Sequence, residues 1–261
     1  MLRPIHIIHT AALIFGILSA PAQASSSLVI DGTIYKNDLG TTFDTWKFNI
    51  LGTGTFTVDV AAYSASQNNV NHADYYTNDI NGDGKLTWLD PDTYFYHSTG
   101  NPILATDAIF RCDDVQNNCG GATGASNYFN GYTPETSPLT RISRPSSEER
   151  VNGSIHFRRD PWYDVTVNTP GEYLFLMADF RLDPNEAEAG ININDSFSAP
   201  SGFIDPILDH ATYRVTFSST DMRFSIDGDT ITVRPVPVPG AIWFLGSALL
   251  GFAGLRRNTA S

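Results

Sequence analysis

The sequence contains little cysteine, little methionine and few charged residues: 2 Cys, 3 Met and 17% charged positions among 261 residues. Basic residues are the scarcer charge, with 16 Lys and Arg against 28 Asp and Glu. Three basic residues (Arg3, Arg256 and Arg257) lie at the ends, which leaves 13 basic and 28 acidic residues between them, a net charge of about −15. This charge excludes electrostatic binding to nucleic acid or anionic lipid and favours divalent cations as partners.

The part between the two ends shows no helical periodicity, no convincing internal repeat and no nucleophile-elbow motif. The chain has 21 Gly, 15 Pro and 12% aromatic residues, a composition typical of an extracellular β-rich domain. The roughly 210 residues between the ends can bury one sizeable core or two small ones. We therefore expect a β-rich body.

The first 24 residues have the pattern of a secretory signal peptide. Arg3 supplies a positive charge, residues 11–18 are mostly apolar, and Ala22-Gln23-Ala24 offers a cleavage site between small residues. We expect residues 1–24 to be removed, so that the mature chain begins near Ser25. The alternative is a buried N-terminal helix.

Residues 235–261 form a tail with three parts. A segment of alternating prolines comes first and holds the backbone extended, the apolar run Ala241–Leu255 follows, and an arginine pair comes next. The 15 residues of the run reach only about 22 Å as a helix. Bilayer hydrocarbon is about 30 Å thick, so length leaves open a membrane span, a buried helix and a docking segment. The basic pair favours a span with the arginines on the cytoplasmic side.

This tail resembles the C-terminal sorting signal of PEP-CTERM proteins, with Val238 in place of the middle Glu of Pro-Glu-Pro. The resemblance implies export by a Gram-negative bacterium and a transient anchor in the inner membrane. It also implies recognition by an exosortase, a membrane protease that cuts near the Pro motif and sends the protein to the cell surface or outside. The valine leaves the cleavage point open. The residues that carry the resemblance include Val236, Pro237, Pro239, Trp243, Gly246, Ser247, Arg256 and Arg257.

Residues 25–234 form a predicted body in which β-branched and aromatic segments alternate with turn residues. This pattern predicts an all-β fold, an antiparallel β-sandwich of jelly-roll type. Residues 79–92, 112–150 and 179–201 are predicted as loops. The predicted strands cover residues 26–36, 44–50, 55–62, 93–97, 109–111, 150–158, 163–167, 172–178, 213–217, 223–226 and 230–233.

The strongest hairpin signal lies in the second half of the body. Residues 163–167 and 172–178 alternate, and Pro170-Gly171 stands between them. Proline presets the first central position of a type II turn and glycine supplies positive φ at the second, so a hairpin is expected. A second hairpin is predicted around Asp227-Gly228-Asp229.

The body also resembles the pre-peptidase C-terminal (PPC-like) sandwich of secreted bacterial proteins. The shared order is a strand, an Asp-rich loop and a return strand of sequence PGEYLF. The resemblance covers roughly residues 28–233, with insertions at 112–150 and 183–210 that have no counterpart, and it implies an accessory binding or stabilising module. The residues that carry it are Asp44, Trp46, Phe48, residues 54–59 and residues 170–175.

Residues 79–90 (DINGDGKLTWLD) match the twelve-residue calcium loop of EF-hands. Oxygen-bearing groups fall at positions 1, 3, 5, 7, 9 and 12, and Gly84 stands where the loop turns sharply. Asp at the last position replaces the usual Glu and has a shorter reach. The pattern predicts a Ca²⁺ site, and the alternative is two turns, at 81–82 and 83–84, in a solvated hairpin. The predicted ligands are Asp79, Asn81, Asp83, Lys85 (through its carbonyl), Thr87 and Asp90.

The two cysteines, Cys112 and Cys119, lie seven positions apart. In an exported chain this spacing predicts a disulfide that closes a small loop. The alternative is a pair of free thiols.

Three further groups of residues allow both a functional and a structural interpretation. The histidines could bind zinc if they converged, but polar surface residues are the simpler interpretation. The acidic residues could hold a second cation or form a general-acid pair, or simply lie in a solvated loop. The aromatic residues could stack on sugars or belong to the core. The groups are His72, His97, His156 and His210; Asp179, Asp183, Glu186 and Glu188; and Trp88, Trp162 and Tyr94–Tyr96.

These patterns together predict an exported, non-catalytic protein of the cell surface or extracellular matrix, with a calcium-stabilised body and an exosortase as processing partner. One alternative is a carbohydrate-binding or adhesive module with exopolysaccharide as its partner. The other is a secreted hydrolase, which would need a deep cleft with paired carboxylates.

Overall fold

The structure, a computed structural model, describes residues 25–62, 87, 89–98, 103–113, 127–144, 160–193 and 209–237. The strands in these ranges form two six-stranded sheets, accompanied by one short helix. The described residues up to Val236 belong to one compact unit, Ala24–Val236. The body is a β-sandwich, as the alternation of apolar and polar residues predicted.

The first sheet is antiparallel throughout. Its strands are, in order across the sheet, β2 (Gly40–Thr41), β1 (Ser26–Asn37), β10 (His210–Ser219), β4 (Gly54–Ala61), β8 (Trp162–Val167) and β7 (Leu139–Ser143).

The second sheet contains one parallel pair, formed by its second and third strands. Its strands are, in order across the sheet, β11 (Met222–Asp227), β12 (Thr230–Pro235), β3 (Phe43–Ile50), β9 (Gly171–Asp179), β5 (Pro91–His97) and β6 (Ala108–Cys112). The helix α1 (Pro184–Ala189) and a 3-10 turn (Ala105–Asp107) complete the described elements.

The core between the sheets is built largely from phenylalanine. Phe48 of β3 lies 5.1 Å from Phe217 of β10 and 6.2 Å from Phe56 of β4, centroid to centroid, so its ring contacts the opposite sheet. Within its own sheet it meets Phe95 and Phe175 at 5.6 and 6.0 Å. Each of these buried side chains contributes about 1.5–3 kcal/mol through loss of water contact. The second sheet buries a smaller cluster on its other face, beneath α1.

The strand predictions agree with the structure where the alternation is strong. In the predicted strand 55–62, the alternating apolar residues Phe56, Val58, Val60 and Ala62 are all at most 1% exposed. The hairpin at Asp227-Gly228-Asp229 is confirmed, because β11 and β12 pair through it and Gly228 adopts φ +58°. The predicted strand at 150–158 lies outside the described residues.

The hairpin predicted at Pro170-Gly171 is wrong. Both strands exist, but β8 belongs to the first sheet and β9 to the second, so the turn carries the chain across the sandwich. Gly171 does not adopt the positive φ that a type II turn requires. A short turn between two strands of alternating apolar and polar residues is compatible with a hairpin and also with a crossing from one sheet to the other. In both arrangements each strand buries one face.

Two segments predicted as loops contain regular structure. The range 112–150 includes β7, whose inward residues are Leu139 and Arg141. Arg141 is charged but faces inward, so the sequence of β7 does not show the apolar alternation that indicates a strand. The Arg141 guanidinium carbon lies 5.4 Å from the ring centroid of Phe110. The range 179–201 includes α1, which is too short to show helical periodicity.

No helix in the described ranges is long and apolar enough to cross a membrane. The predicted signal peptide, residues 1–24, lies outside the described residues. The same is true of the predicted tail helix. Of the tail, the structure describes only Pro235, Val236 and Pro237.

Candidate metal centre

Of the six predicted calcium ligands, the structure describes Thr87 and Asp90. The other four (Asp79, Asn81, Asp83 and Lys85) lie outside the described residues. The structure therefore describes only the end of the predicted loop and the strands to which this end is attached.

The end of the loop is attached to both sheets. The Thr87 hydroxyl accepts a hydrogen bond from the Thr212 N–H of β10 at 2.8 Å and contacts the Thr212 hydroxyl at the same distance. The Leu89 N–H donates to the Ala62 carbonyl at 3.3 Å, just after β4. Asp90 is attached to the second sheet, where its carbonyl accepts from the Phe180 N–H at 2.7 Å. These bonds hold the last positions of the loop at one end of the sandwich.

Asp179, the last residue of β9, lies beside this attachment point. It pairs in register with Pro91, the residue that follows Asp90. Its side chain is fully buried, and neither carboxylate oxygen has a hydrogen-bond partner. Its backbone carbonyl is fixed by the Asn192 side-chain amide at 2.7 Å. The structure thus places an unbonded carboxylate at the end of the sandwich where the predicted loop is attached.

Burial raises the pKa of Asp179 to about 8, and the charge of Asp90 adds to the rise. The N–H groups of Asp90 and Phe180 lie close enough to oppose this rise. The Phe180 N–H donates to the Asp90 carbonyl, and neither carboxylate oxygen of Asp179 has a partner in hydrogen-bond geometry. A fully buried carboxylate is stabilised by a cation or a proton. The charge of Lys36 acts only weakly against the rise in the pKa of Asp179, and no side chain bonds either carboxylate oxygen.

The nearby buried carboxylate Asp92 provides a contrast. Its Oδ2 accepts from the Tyr94 hydroxyl at 2.5 Å and lies 3.8 Å from the Arg111 guanidinium. Arg111 also contacts Asp113 at 3.1 Å. Burial raises the pKa of Asp92 well above its usual range, while Arg111 acts against that rise. Asp92 therefore belongs to an internal ion-pair network, which makes it unsuited to ligate an external ion.

The oxygen atoms that the structure describes at this end are of the type that a hard cation binds. They are too few to complete the coordination of such an ion. Ca²⁺ takes six to eight oxygen ligands, often from carboxylates. The described ranges contain no group of three or more His, Cys, Asp or Glu side chains that could hold a metal. An ion at Asp90 would need further oxygens, which is the role the sequence pattern gives to residues 79–85.

The remaining residues of the acidic group lie in the short helix α1 or at its start, so the expectation of a loop is wrong here, although these side chains are half-buried or exposed. The Asp183 side chain accepts from the Asn185 N–H at 3.0 Å, and Glu186 accepts from the Asp183 N–H at 2.8 Å, a reciprocal cap at the start of α1. Glu188 is exposed and accepts from the Ala105 N–H at 2.9 Å. Asp179 lies apart from them, at the end of β9.

The histidines and aromatic residues support their structural interpretations. His97 contacts the Tyr132 hydroxyl at 2.8 Å and His210 contacts Asp209 at 2.8 Å, while His72 and His156 lie outside the described residues. Trp162, Tyr94 and Tyr96 are fully buried, which confirms them as core residues. Trp88 is outside the described ranges.

Cys112, at the end of β6, is fully buried, and no free cysteine occurs among the described residues. The Thr93 hydroxyl donates to its carbonyl at 2.9 Å, which fixes the end of the strand. Cys119 lies outside the described residues, so the bond between the two cysteines stays a prediction.

A groove of about 350 Å³, lined mainly by Ser, Thr and Asp residues, lies along the first sheet, and the sequence did not indicate it. Its floor includes Thr57 and Asp164, whose side chains bond at 2.7 Å. Arg144 donates to the same Asp164 oxygen at 2.8 Å, and its guanidinium carbon lies 5.5 Å from the centroid of Trp162. Nothing in the local sequence marks these residues, because two strands, β4 and β8, and the residue that follows β7 bring them together.

Comparison with protein-family models, with curated proteins and with solved structures found no match.

Proposed function

We propose that this protein is an exported, non-catalytic component of the cell surface or extracellular matrix, whose jelly-roll-type sandwich is stabilised by calcium and released by an exosortase. The observation that carries the proposal is where the sandwich begins and ends. Strand β1 starts at Ser26, next to the predicted signal-peptide cleavage site, and β12 ends at Pro235, where the alternating prolines begin. Cleavage at both predicted points would leave every described strand in the mature protein.

The last strand, β12, would remain intact after proteolytic cleavage of the chain just beyond its end. The Val236 N–H donates to the Asp221 carbonyl at 2.8 Å, and β12 pairs with both β11 and β3. The sandwich is therefore complete before the apolar run starts. A protease that cuts after Val236 would break no strand pairing.

The calcium part of the proposal is supported by the buried end of the loop. Asp90 is 6% exposed, and its carbonyl accepts from the Phe180 N–H just after β9. A Ca²⁺ ion here would compensate buried negative charge, and its binding to the folded state alone would raise stability by mass action.

The sorting role is tested by cell fractionation of the full-length chain. We expect the wild-type protein on the cell surface or in the medium, and a longer, membrane-bound form in cells that lack the exosortase. A variant with Pro237→Ala and Pro239→Ala should accumulate in the membrane. The matched control, Pro134→Ala, changes a proline in a described turn and should behave as wild type. Identical fractionation of all forms would contradict the proposal.

A second candidate function, binding of a neutral polysaccharide, is favoured by the groove at Arg144. Hydroxyl, carboxylate and guanidinium groups in one groove offer both donors and acceptors, as sugar hydroxyls require. Affinity electrophoresis in gels that contain purified exopolysaccharide tests it. Arg144→Gln should lose retardation and Arg223→Gln, an exposed arginine on β11, should keep it. Equal mobility with and without polysaccharide would exclude this candidate.

A further inference from the structure

The groove on the first sheet contains a row of residues that crosses four neighbouring strands. Ser27 of β1 pairs in register with Ser218 of β10. Ser218 pairs in turn with Thr57 of β4, and Thr57 pairs with Asp164 of β8. All four residues line the groove, and we call them the cross-strand row. Its members are spaced by the distance between strands, about 4.8 Å, so the groove runs across the strands.

The side chains of the cross-strand row face away from the core. Successive side chains of a strand point to opposite faces, and the sequence neighbours of the row residues belong to the core between the sheets. Ser27 is exposed, Ser218 is half-buried, and Thr57 is 7% exposed. The row therefore presents hydroxyl groups and one carboxylate to the groove. The core neighbours are Leu28, Phe56, Val58, Tyr163, Val165 and Phe217.

The hydrogen-bonding groups of the row match those of a sugar. A hydroxyl group both donates and accepts, as a sugar hydroxyl does. The Thr57 hydroxyl donates to Oδ1 of Asp164 at 2.7 Å, which fixes the direction of its hydrogen and leaves its oxygen as an acceptor. The hydroxyls of Ser27 and Ser218 can act in both ways. The row thus offers a hydrogen-bonding group on each of four strands.

The charges that line the groove disfavour an acidic ligand. Among the described lining residues, Arg144 is basic, while Asp164 and Asp221 are acidic. Arg144 donates to Asp164 at 2.8 Å, so the two charges compensate each other. The Asp221 carboxylate accepts from the Thr55 N–H at 3.0 Å and from the Ser219 hydroxyl at 2.6 Å, both uncharged donors. The remaining charge is negative, and it repels an anionic polymer.

We propose that the cross-strand row binds an internal stretch of one neutral, unbranched polysaccharide chain, with one sugar unit over each of the four strands. This inference rests on the second candidate function, the binding of a neutral polysaccharide, and specifies which chain binds and how it lies. A pyranose unit is about as long as the spacing between strands, so hydroxyls repeat along the chain and along the row at a similar interval. Only an extended chain, such as a β-1,4-linked glucan, keeps this match over four strands. A coiled α-1,4-linked glucan does not.

The length of the row limits the number of sugar units that it holds. Beyond Asp164, the next residue in register is Ile142 of β7, an apolar side chain that is 55% exposed. Beyond Ser27, the sheet continues among the described strands only with β2, which pairs with Lys36 and Asn37 at the far end of β1. The row therefore ends at Ser27 and Asp164. Affinity should rise with chain length up to four sugar units and then level off.

The test is titration of the exported protein, followed by NMR, with cello-oligosaccharides of one to six units, which are neutral, unbranched and β-1,4-linked. We expect the affinity to rise about threefold to tenfold with each added unit up to four, the effect of about one hydrogen bond. From four to six units it should stay constant. Malto-oligosaccharides of the same lengths, which are α-1,4-linked, should show no such rise.

Ser27→Ala removes the last hydroxyl of the row at an exposed position, so the fold should be unaffected. We expect its affinity to level off at three units, and its affinity for the four-unit sugar to fall about threefold to tenfold. The matched control, Ser225→Ala, removes an exposed serine hydroxyl from β11 of the second sheet and should keep the wild-type dependence on length.

The outcomes separate this inference from the candidate function on which it rests. Polysaccharide gels that retard the wild type, together with no binding of cello-oligosaccharides or an affinity independent of their length, overturn the inference and leave the candidate function. Equal length dependence in the wild type and Ser27→Ala also overturns the inference. No retardation and no binding of any oligosaccharide overturn both. A plateau at four units in the wild type and in Ser225→Ala, and at three units in Ser27→Ala, supports the inference.

Discussion

Tyr213 of β10 donates a 2.5 Å hydrogen bond to Oδ2 of Asp44 in β3, and this bond connects the two sheets of the sandwich. Tyr213 is fully buried, and its ring meets Trp46 edge-on at 6.2 Å. Burial raises the pKa of Asp44, while the hydrogen bond from Tyr213 acts against that rise. The tyrosine thus compensates part of the cost of burying the carboxylate.

We expect Tyr213→Phe to destabilise the protein by about 1.5–3 kcal/mol, the range for hydrogen bonds to charged groups. The loss should appear in urea unfolding as a lower midpoint with an unchanged slope. Tyr35→Phe is the control, because Tyr35 is 56% exposed, and it should change stability by less than about 0.5 kcal/mol. Equal midpoints for the two variants would contradict the role given to the inter-sheet bond.

Gly32 should not tolerate a side chain, because a Cβ there would lie 2.2 Å from the Tyr213 hydroxyl oxygen. Gly32→Ala forces the tyrosine away from Asp44, at a cost of about 1–3 kcal/mol. Gly171→Ala is the matched control, since its Cβ would meet only ordinary contacts at 3.7 Å, and it should be neutral or slightly stabilising. In a double-mutant cycle, Gly32→Ala and Tyr213→Phe should cost less together than the sum of their separate effects.

His97 gives the stability a dependence on pH. Burial lowers its pKa below the usual 6.5, and the charge of Asp107 acts weakly the other way. The ring faces the Tyr132 hydroxyl at 2.8 Å and the Tyr173 ring at 5.6 Å. The unfolded chain binds the proton more tightly, so the contribution is fully present above pH 6.5 and is lost as the pH falls through the lowered pKa.

The measurement is the free energy of unfolding between pH 7.5 and pH 5 for wild type and His97→Gln. Glutamine keeps a hydrogen-bonding side chain without a titrating ring. We expect the variant to lose less stability on acidification than the wild type. Parallel pH curves for the two proteins would refute the assignment.

The predicted disulfide is tested by alkylation. We expect the exported protein to take up alkylating reagent at two sites only after reduction. Reduction should lower its free energy of unfolding by about 2–3 kcal/mol or less, because the closed loop is short. Because Cys112 ends a strand whose carbonyl is held by Thr93, reduction should loosen the 112–119 loop and leave β6 paired with β5. Two alkylated cysteines without prior reduction would contradict the bond.

The strands followed from the sequence because an apolar row such as Phe56, Val58 and Val60 shows period two directly. The pairing of the strands did not follow from the sequence. The step from β8 to β9 looks like a hairpin locally, and only the competition among all the described strands decides that each joins a different sheet. β7 was concealed by the inward-facing Arg141, and α1 by its length of six residues.

The candidate site was partly visible in the sequence. The spacing of residues 79–90 predicts Asp90 as a calcium ligand without any structure. Asp179 was visible as an acidic residue but not as a buried one, since nothing local distinguishes the last residue of a central strand from the first residue of a solvated loop. The groove at Arg144 and Asp164 depends on contacts between residues 20 positions apart and on a third strand, so it required the fold.

The central claim, export with processing at both ends, is tested most directly by intact-mass analysis of the protein recovered from the cell surface and the medium. The account predicts a polypeptide that begins near Ser25, ends close to the Pro237-Val238-Pro239 motif and lacks Arg256 and Arg257. Recovery of the unprocessed chain, Met1 to Ser261, dissolved in the cytosol would contradict it.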